Sequence, residues 1–297
     1  MNLITVILGA VLLPTLITHR YPVHYDGPFL QHAQFGARPA TSGRLPAFDV
    51  KYHGGPVEPA TKTYAIYWYP KSSPGSYATL IDGFLGAIGG TSYYAVAASY
   101  STKSAPIQNA STFEADYVDT DAFPKTLDVS AIETELSDLV AKSKVPAASG
   151  DPIFVFLPQG APFKVTSPSV CALHSAFEYQ NKSRSTVVFA VVPYQGGNVA
   201  CEAYRAAYGL PNKSVPGGDP AITNASRELL EMVTDPLGNG WYDKTYGEIG
   251  DICFFDYGDQ GFLSDQANYM LAGKTYQLPE AFEQSAAACR PNLGGGS

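Results

Sequence analysis

Two rhythms of hydrophobic and polar positions run along the chain. From Thr63 to Tyr69 the run T-Y-A-I-Y-W-Y is apolar on both faces and rich in β-branched and aromatic residues, which predicts a central strand ended by Pro70. Leu80 to Ile88 reads as a helix stopped at Gly89-Gly90. Between Asp128 and Lys144 the apolar positions Val129, Ile132, Leu136, Leu139 and Val140 recur at helical spacing. Asp128 can cap that helix, and Lys142 and Lys144 suit its negative end. Ile153 to Leu157 and Thr186 to Val192 are short continuous apolar runs bounded by prolines, read as buried strands. A further helix is expected from Asp219-Pro220, an N-cap with proline at the first helical position, to the residues before Pro236. At 100° per residue, its Ile222, Ala225, Leu229, Met232 and Val233 share one face, while Asn224, Arg227, Glu228 and Glu231 share the other and read as a solvated face. Strand, helix, strand, strand, helix gives a single α/β (α+β) domain with a mixed sheet.

The ends differ from this middle. Leu3 to Ile17 is almost wholly apolar and would rise about 22 Å as a helix, short of the ~30 Å a membrane core requires. Residues 1–18 therefore read as a signal peptide, although Met1-Asn2 offers no basic residue; a short membrane anchor is the alternative. No second apolar run is long enough for a stable span. Residues 19–47 lack any period and read as an arm or linker, 48–292 as the folded domain, and 293–297 as a flexible tail.

Composition narrows the functional classes. The apolar share of 45% suits a globular domain, and the net charge of −8 argues against a nucleic-acid partner. Cys171, Cys201, Cys253 and Cys289 allow two disulfides in any of three pairings, in keeping with an oxidising compartment. Asn109, Asn181, Asn212 and Asn224 begin N-x-S/T sequons, which matter only in a glycosylating host. Together these point to an extracellular glycoprotein.

The stretch Ser226 to Cys253, S-R-E-L-L-E-M-V-T-D-P-L-G-N-G-W-Y-D-K-T-Y-G-E-I-G-D-I-C, resembles the Exordium / phosphate-induced protein family of secreted proteins. Tyr52-His53-Gly54-Gly55-Pro56, Phe84 to Tyr94, Cys171-Ala172-Leu173-His174, Gly273 to Tyr276 and Cys289 resemble further family segments in the same order. The motif residues carried over are His53, Asp235, Trp241 and Glu248, with Arg227 standing where the family has the helix histidine. The resemblance implies a zincin-like helix, in which a histidine and the residue four positions on ligate zinc and the intervening glutamate acts as base. Here Glu228 takes the base position and Glu231 the second ligand position. Arginine has no lone pair for a metal, so the first ligand is missing.

Three treatments of this helix remain open. His174, Glu231 and Asp251, with Glu228, could form a different zinc site; Arg227 could fill the metal position and neutralise the carboxylates; or Arg227 and Glu231 could simply pair on the surface. The acidic loop Asp243, Glu248, Asp251, Asp256 and Asp259 is a calcium candidate, though its spacing is not an EF-hand. The leading expectation is a secreted pseudoenzyme of the extracellular or cell-wall space, without an intact zinc site and with an extracellular partner. The alternatives are a peptidase-like metallohydrolase with altered ligands, and a carbohydrate-binding module that uses exposed tyrosines.

Overall fold

The computed structural model describes residues 17–22, 24–26, 48–147, 150–165, 170–180, 184–198, 201, 211–254 and 269–290. The expected leader up to residue 16, Asn181, Asp256, Asp259 and the tail from 293 lie outside them. The protein is a mixed α/β fold. Its main sheet is built from β1 (Ile17–Arg20), β2 (His24–Asp26), β4 (Thr61–Trp68), β5 (Ser111–Asp119), β6 (Ile153–Phe156), β7 (Ala172–Gln180) and β8 (Arg184–Val192). The order is β1-β7-β8-β6-β4-β5, with β2 also paired to β7. β5, β4, β6 and β8 are parallel neighbours, and β7 is antiparallel to β8.

Parallel pairs need crossovers. Helix α1 (Ser76–Ile88) carries the chain from β4 to β5, and α2 (Val129–Ala141) carries it from β5 to β6. Side chains alternate across the sheet. Ala65, Tyr67, Phe154, Phe156, Ala172 and Ala176 therefore face α1 and α3 (Gly218–Thr234). Ile66, Trp68, Val155, Leu173 and Phe177 face α2. Asp128 caps α2 as expected, accepting a hydrogen bond from the Ala131 N–H.

Three expectations change. Helix α3 starts at Gly218, with Gly217 as its left-handed N-cap at φ 75°; Asp219 sits in the first turn and accepts hydrogen bonds from Asn212 instead. Ile17–Arg20 and His24–Asp26, read as the end of a leader and the start of an arm, form β1 and β2 along the edge of β7. Strands of three or four residues are too short to carry a period, and their pairing is written in β7. The Asn224 sequon is fully buried in α3, its amide donating to the Pro220 carbonyl, so it is not a glycan site on the folded protein. The Asn212 amide is engaged with Asp219 and the Thr275 carbonyl, whereas Asn109 is exposed. The disulfides, left open by sequence, are Cys171–Cys201 and Cys253–Cys289.

Glu58 gives the fold a pH dependence. It is buried, and burial followed by the nearby Asp151 charge pushes its carboxyl up to about 7, against an opposing Gly150 N–H. Burial likewise lifts Asp82 to about 6. A carboxyl raised above its unfolded value of 4.5 makes the folded state bind more protons, so stability present at acid pH is lost as pH rises toward 7. Unfolding free energies from urea titrations are expected to fall between about pH 5 and 8, by about 1–2 kcal/mol for Glu58 after solvent screening. Glu58→Gln should flatten that fall; an unchanged slope would remove Glu58 as its source.

Candidate functional site

Helix α3 packs on β7 and β8, across the sheet from α2. Every residue from Gly218 to Thr234 is buried, so the polar face expected in solvent is an interior face. His174 lies between Ala172 and Ala176 on the α3-facing side of β7. Its Nδ1 lies 3.0 Å from Glu228 Oε2 and 4.0 Å from Glu231 Oε2, and its Nε2 lies 3.6 Å from Glu248 Oε1. Glu228 and Glu231, three residues apart on α3, share a side of the helix.

The segment after β9 (Trp241–Tyr242) closes this interior. Asp251 N–H donates to Glu231 Oε1 at 3.1 Å, and Glu248 N–H donates to Asp251 Oδ2 at 3.3 Å. Gly250 allows the close approach, since a methyl there would stand 2.4 Å from Glu231 Oε1 and 3.0 Å from Arg227 Cβ. The Cys253–Cys289 bond then ties this segment to the C-terminal hairpin β10 (Ala281–Glu283) and β11 (Ala288–Arg290).

The electrostatics follow from burial. Burial raises the Glu228 carboxyl well above the usual range, with Arg227 opposing and Asp251 adding to the rise. Glu231 is raised by burial and by the Asp251 and Glu228 charges, again against Arg227. Glu248 is raised by burial and then by the surrounding carboxylates. Burial lowers the His174 pKa, against the Asp235 charge and backbone carbonyl. The cluster is thus rich in acid, with Arg227 the opposing charge at both helix carboxylates, and it favours protons or a further cation.

Arg227 stands near both carboxylates, and its charge opposes their rise. Its guanidinium lies 3.9 Å over the Phe254 ring, and Nη2 donates to Asn224 Oδ1 at 3.3 Å. Being fully buried, it forms no surface pair with Glu231. A zincin-type set through position 227 does not fit. A set shifted by one residue does: His174, Glu228 and Glu231 each offer a donor atom, all within 4.8 Å of one another. Donors on one zinc stand about 3–3.5 Å apart, which small side-chain rotations reach. Glu248, at the other imidazole nitrogen, is placed as a supporting carboxylate. Asp251, expected as a ligand, instead positions Glu231.

The other motif residues are structural. β3 (Lys51–Tyr52) pairs with β9. His53 N–H donates to the Gly240 carbonyl, and the His53 ring stacks on Tyr242 at 3.8 Å with Nε2 3.1 Å from that residue's carbonyl. Asp235 Oδ1 accepts from Gly240 N–H, where a methyl would meet Thr234 O at 2.4 Å. Trp241 sits between the Tyr52 and Tyr100 rings. The Tyr52–Pro56 and Asp235–Tyr242 segments therefore meet each other and brace the end of α3. Asp243, from the calcium candidate, accepts N–H bonds from Asp49, Thr245 and Tyr246, a turn-fixing role. The tyrosines expected as stacking platforms are largely interior: Tyr67, Tyr93, Tyr94, Tyr100 and Tyr276 are fully buried. Sequence reasoning missed Gly250 and Phe254; the small residue in E-I-G-D was the available signal for the first.

No protein-family model matches the chain, and none of the curated proteins compared with it does. Among the described residues no helix is long and apolar enough to cross a membrane.

Proposed function

We propose that this chain is a secreted, Exordium-like protein of the extracellular or cell-wall space, built on a zincin-like scaffold whose hydrolytic site has become a sealed divalent-cation centre. One observation carries the reading: three donor atoms, from His174 on β7 and from Glu228 and Glu231 on α3, converge on residues that are 0–1% exposed. An ion held there would supply the positive charge that offsets clustered carboxylates. His174, Glu228 and Glu231 would hold it, and Glu248 would orient the imidazole. A hydrolytic zinc needs an open position for water and substrate, which a closed interior does not offer. The metallohydrolase reading also needs Glu228 as a free base, but Glu228 is itself one of the donors. The two disulfides suit an oxidising compartment. The net charge of −8 favours a partner other than nucleic acid.

The test is zinc and manganese titration of purified, chelator-stripped protein, read by metal stoichiometry and thermal denaturation, alongside a peptidase assay on unfolded protein substrate. One equivalent of zinc that raises the Tm, loss of that shift in Glu228→Gln, and no hydrolysis are expected. No stoichiometric ion and an unmoved Tm would end the cation reading. Hydrolysis lost in Glu228→Gln would end the sealed-centre reading in favour of an enzyme.

A further inference from the structure

The opposite face of the sheet holds a second convergence, independent of the His174 cluster. Asp119 is the last residue of β5, Asp121 follows two positions later, and Glu135 lies in the middle of α2. Their carboxylate oxygens all lie within 4.8 Å of one another. Local structure fixes each in place. Asp119 Oδ1 accepts the Asp121 N–H at 2.9 Å, and the Trp68 indole N–H donates to the Asp121 carbonyl at 2.8 Å.

A group of acidic residues alone means little on a protein surface. Here the Asp119 residue is 2% exposed, and its Oδ2 is buried and accepts no hydrogen bond from a described residue. Glu135 Oε1 is in the same state. The Asp119 and Glu135 carboxyls face each other within hydrogen-bonding reach. Two ionised carboxylates do not satisfy one another; a shared proton or a cation must stand between them. Burial, then the Asp119, Asp121 and Asp138 charges, pushes Glu135 up to about 7, the same statement made in protons. Lys142 is the neighbouring cation, but it contacts Asp138 at 2.5 Å and Asp121 at 3.7 Å, on the solvent side. One lysine leaves four carboxyls, Asp119, Asp121, Glu135 and Asp138, in negative excess.

We propose that Asp119, Asp121 and Glu135 form a calcium site that clips helix α2 to the C-terminal end of β5. The donor set is oxygen only, the preference of a hard cation rather than of zinc. Three carboxylates offer up to six oxygens, and water completes the shell. The Asp121 side chain is 59% exposed, so the ion has an entry route. Few ligands and an open side suit an affinity of about 10⁻⁴–10⁻³ M, the range of extracellular calcium modules.

Trp68 supplies the probe, because its indole adjoins the site. Terbium, bound in place of calcium on the intact, chelator-treated chain, is expected to luminesce when excited through tryptophan and to be displaced by calcium. Calcium titration by calorimetry should show one ion per chain. Glu135→Gln and the exposed Asp121→Asn should each weaken binding at least tenfold. Glu228→Gln, in the other cluster, should leave calcium binding intact even if it abolishes the zinc response. No terbium signal with no calcium heat overturns the proposal and leaves a shared proton between Asp119 and Glu135. Binding that persists at wild-type strength in either Asp121→Asn or Glu135→Gln also overturns it, as does calcium binding lost in Glu228→Gln. If Glu135→Gln fails to fold, Asp121→Asn decides alone.

Discussion

Replacing His174 with alanine is expected to cost about 1–3 kcal/mol, the range for leaving a buried polar partner unsatisfied. The imidazole is the group that stands between Glu228, Glu231 and Glu248. Without it Glu228 loses its contact through Oε2, while Oε1 already accepts no hydrogen bond from a described residue. Nothing from solvent can substitute, because the site is closed. Equilibrium urea unfolding measures the loss as a lower midpoint at unchanged slope. His174→Asn, which keeps a polar group near the helix, should lose less. A cost below about 1 kcal/mol for the alanine variant would mean that the carboxylates are held together by something other than the imidazole.

Opening the Cys253–Cys289 bond is the second large effect. The bond closes a loop with a sequence separation of 36. The chain-entropy model gives a loop of that size about 4 kcal/mol. A double serine variant should lose about this much in urea unfolding. It should also bind zinc more weakly, by roughly tenfold or more, because the segment it frees carries the Asp251 N–H that fixes Glu231. Cys171–Cys201 closes a loop of similar size, with a separation of 30, but Cys201 is not on the Glu248–Cys253 segment. The matching variant should lose comparable stability and keep more of the zinc response. Equal zinc effects in the two variants would detach the proposed metal centre from the Glu248–Cys253 segment.

Which elements were readable follows from where each side chain's information lies. Central strands β4, β6 and β8 are apolar on both faces, and α2 has one apolar stripe with a capping aspartate, so local sequence and final environment agree. β5 was not read as a strand because much of S-T-F-E-A-D-Y-V-D faces solvent and leaves no continuous apolar run. β7, A-L-H-S-A-F-E-Y-Q, is written largely in residues that also favour helices, and pairing with β8 decides its state. At the site, Glu228 and Glu231 were legible from helical spacing, and His174 from the scarcity of histidine. The burial of their helix face was not. It depends on β7 and on the Glu248–Cys253 segment, which are distant in sequence. For the same reason the three-residue β2 and the role of Gly250 became visible only in three dimensions.

The pairing of Ile17–Arg20 and His24–Asp26 with β7 orders events during synthesis. These residues leave the ribosome well before β7, yet Ser175 bonds the Tyr21 carbonyl across a separation of 154 positions. The sheet edge beside His174 therefore cannot be finished until β7, some 154 positions further along, has been made. Until then the N-terminal segment has no partner, and β7, once formed, offers an open edge to any passing strand. Such long-range closure is slow compared with local helix formation. A chain that crosses a membrane N-terminus first would complete this edge only on the far side, after its β7–β8 hairpin had followed.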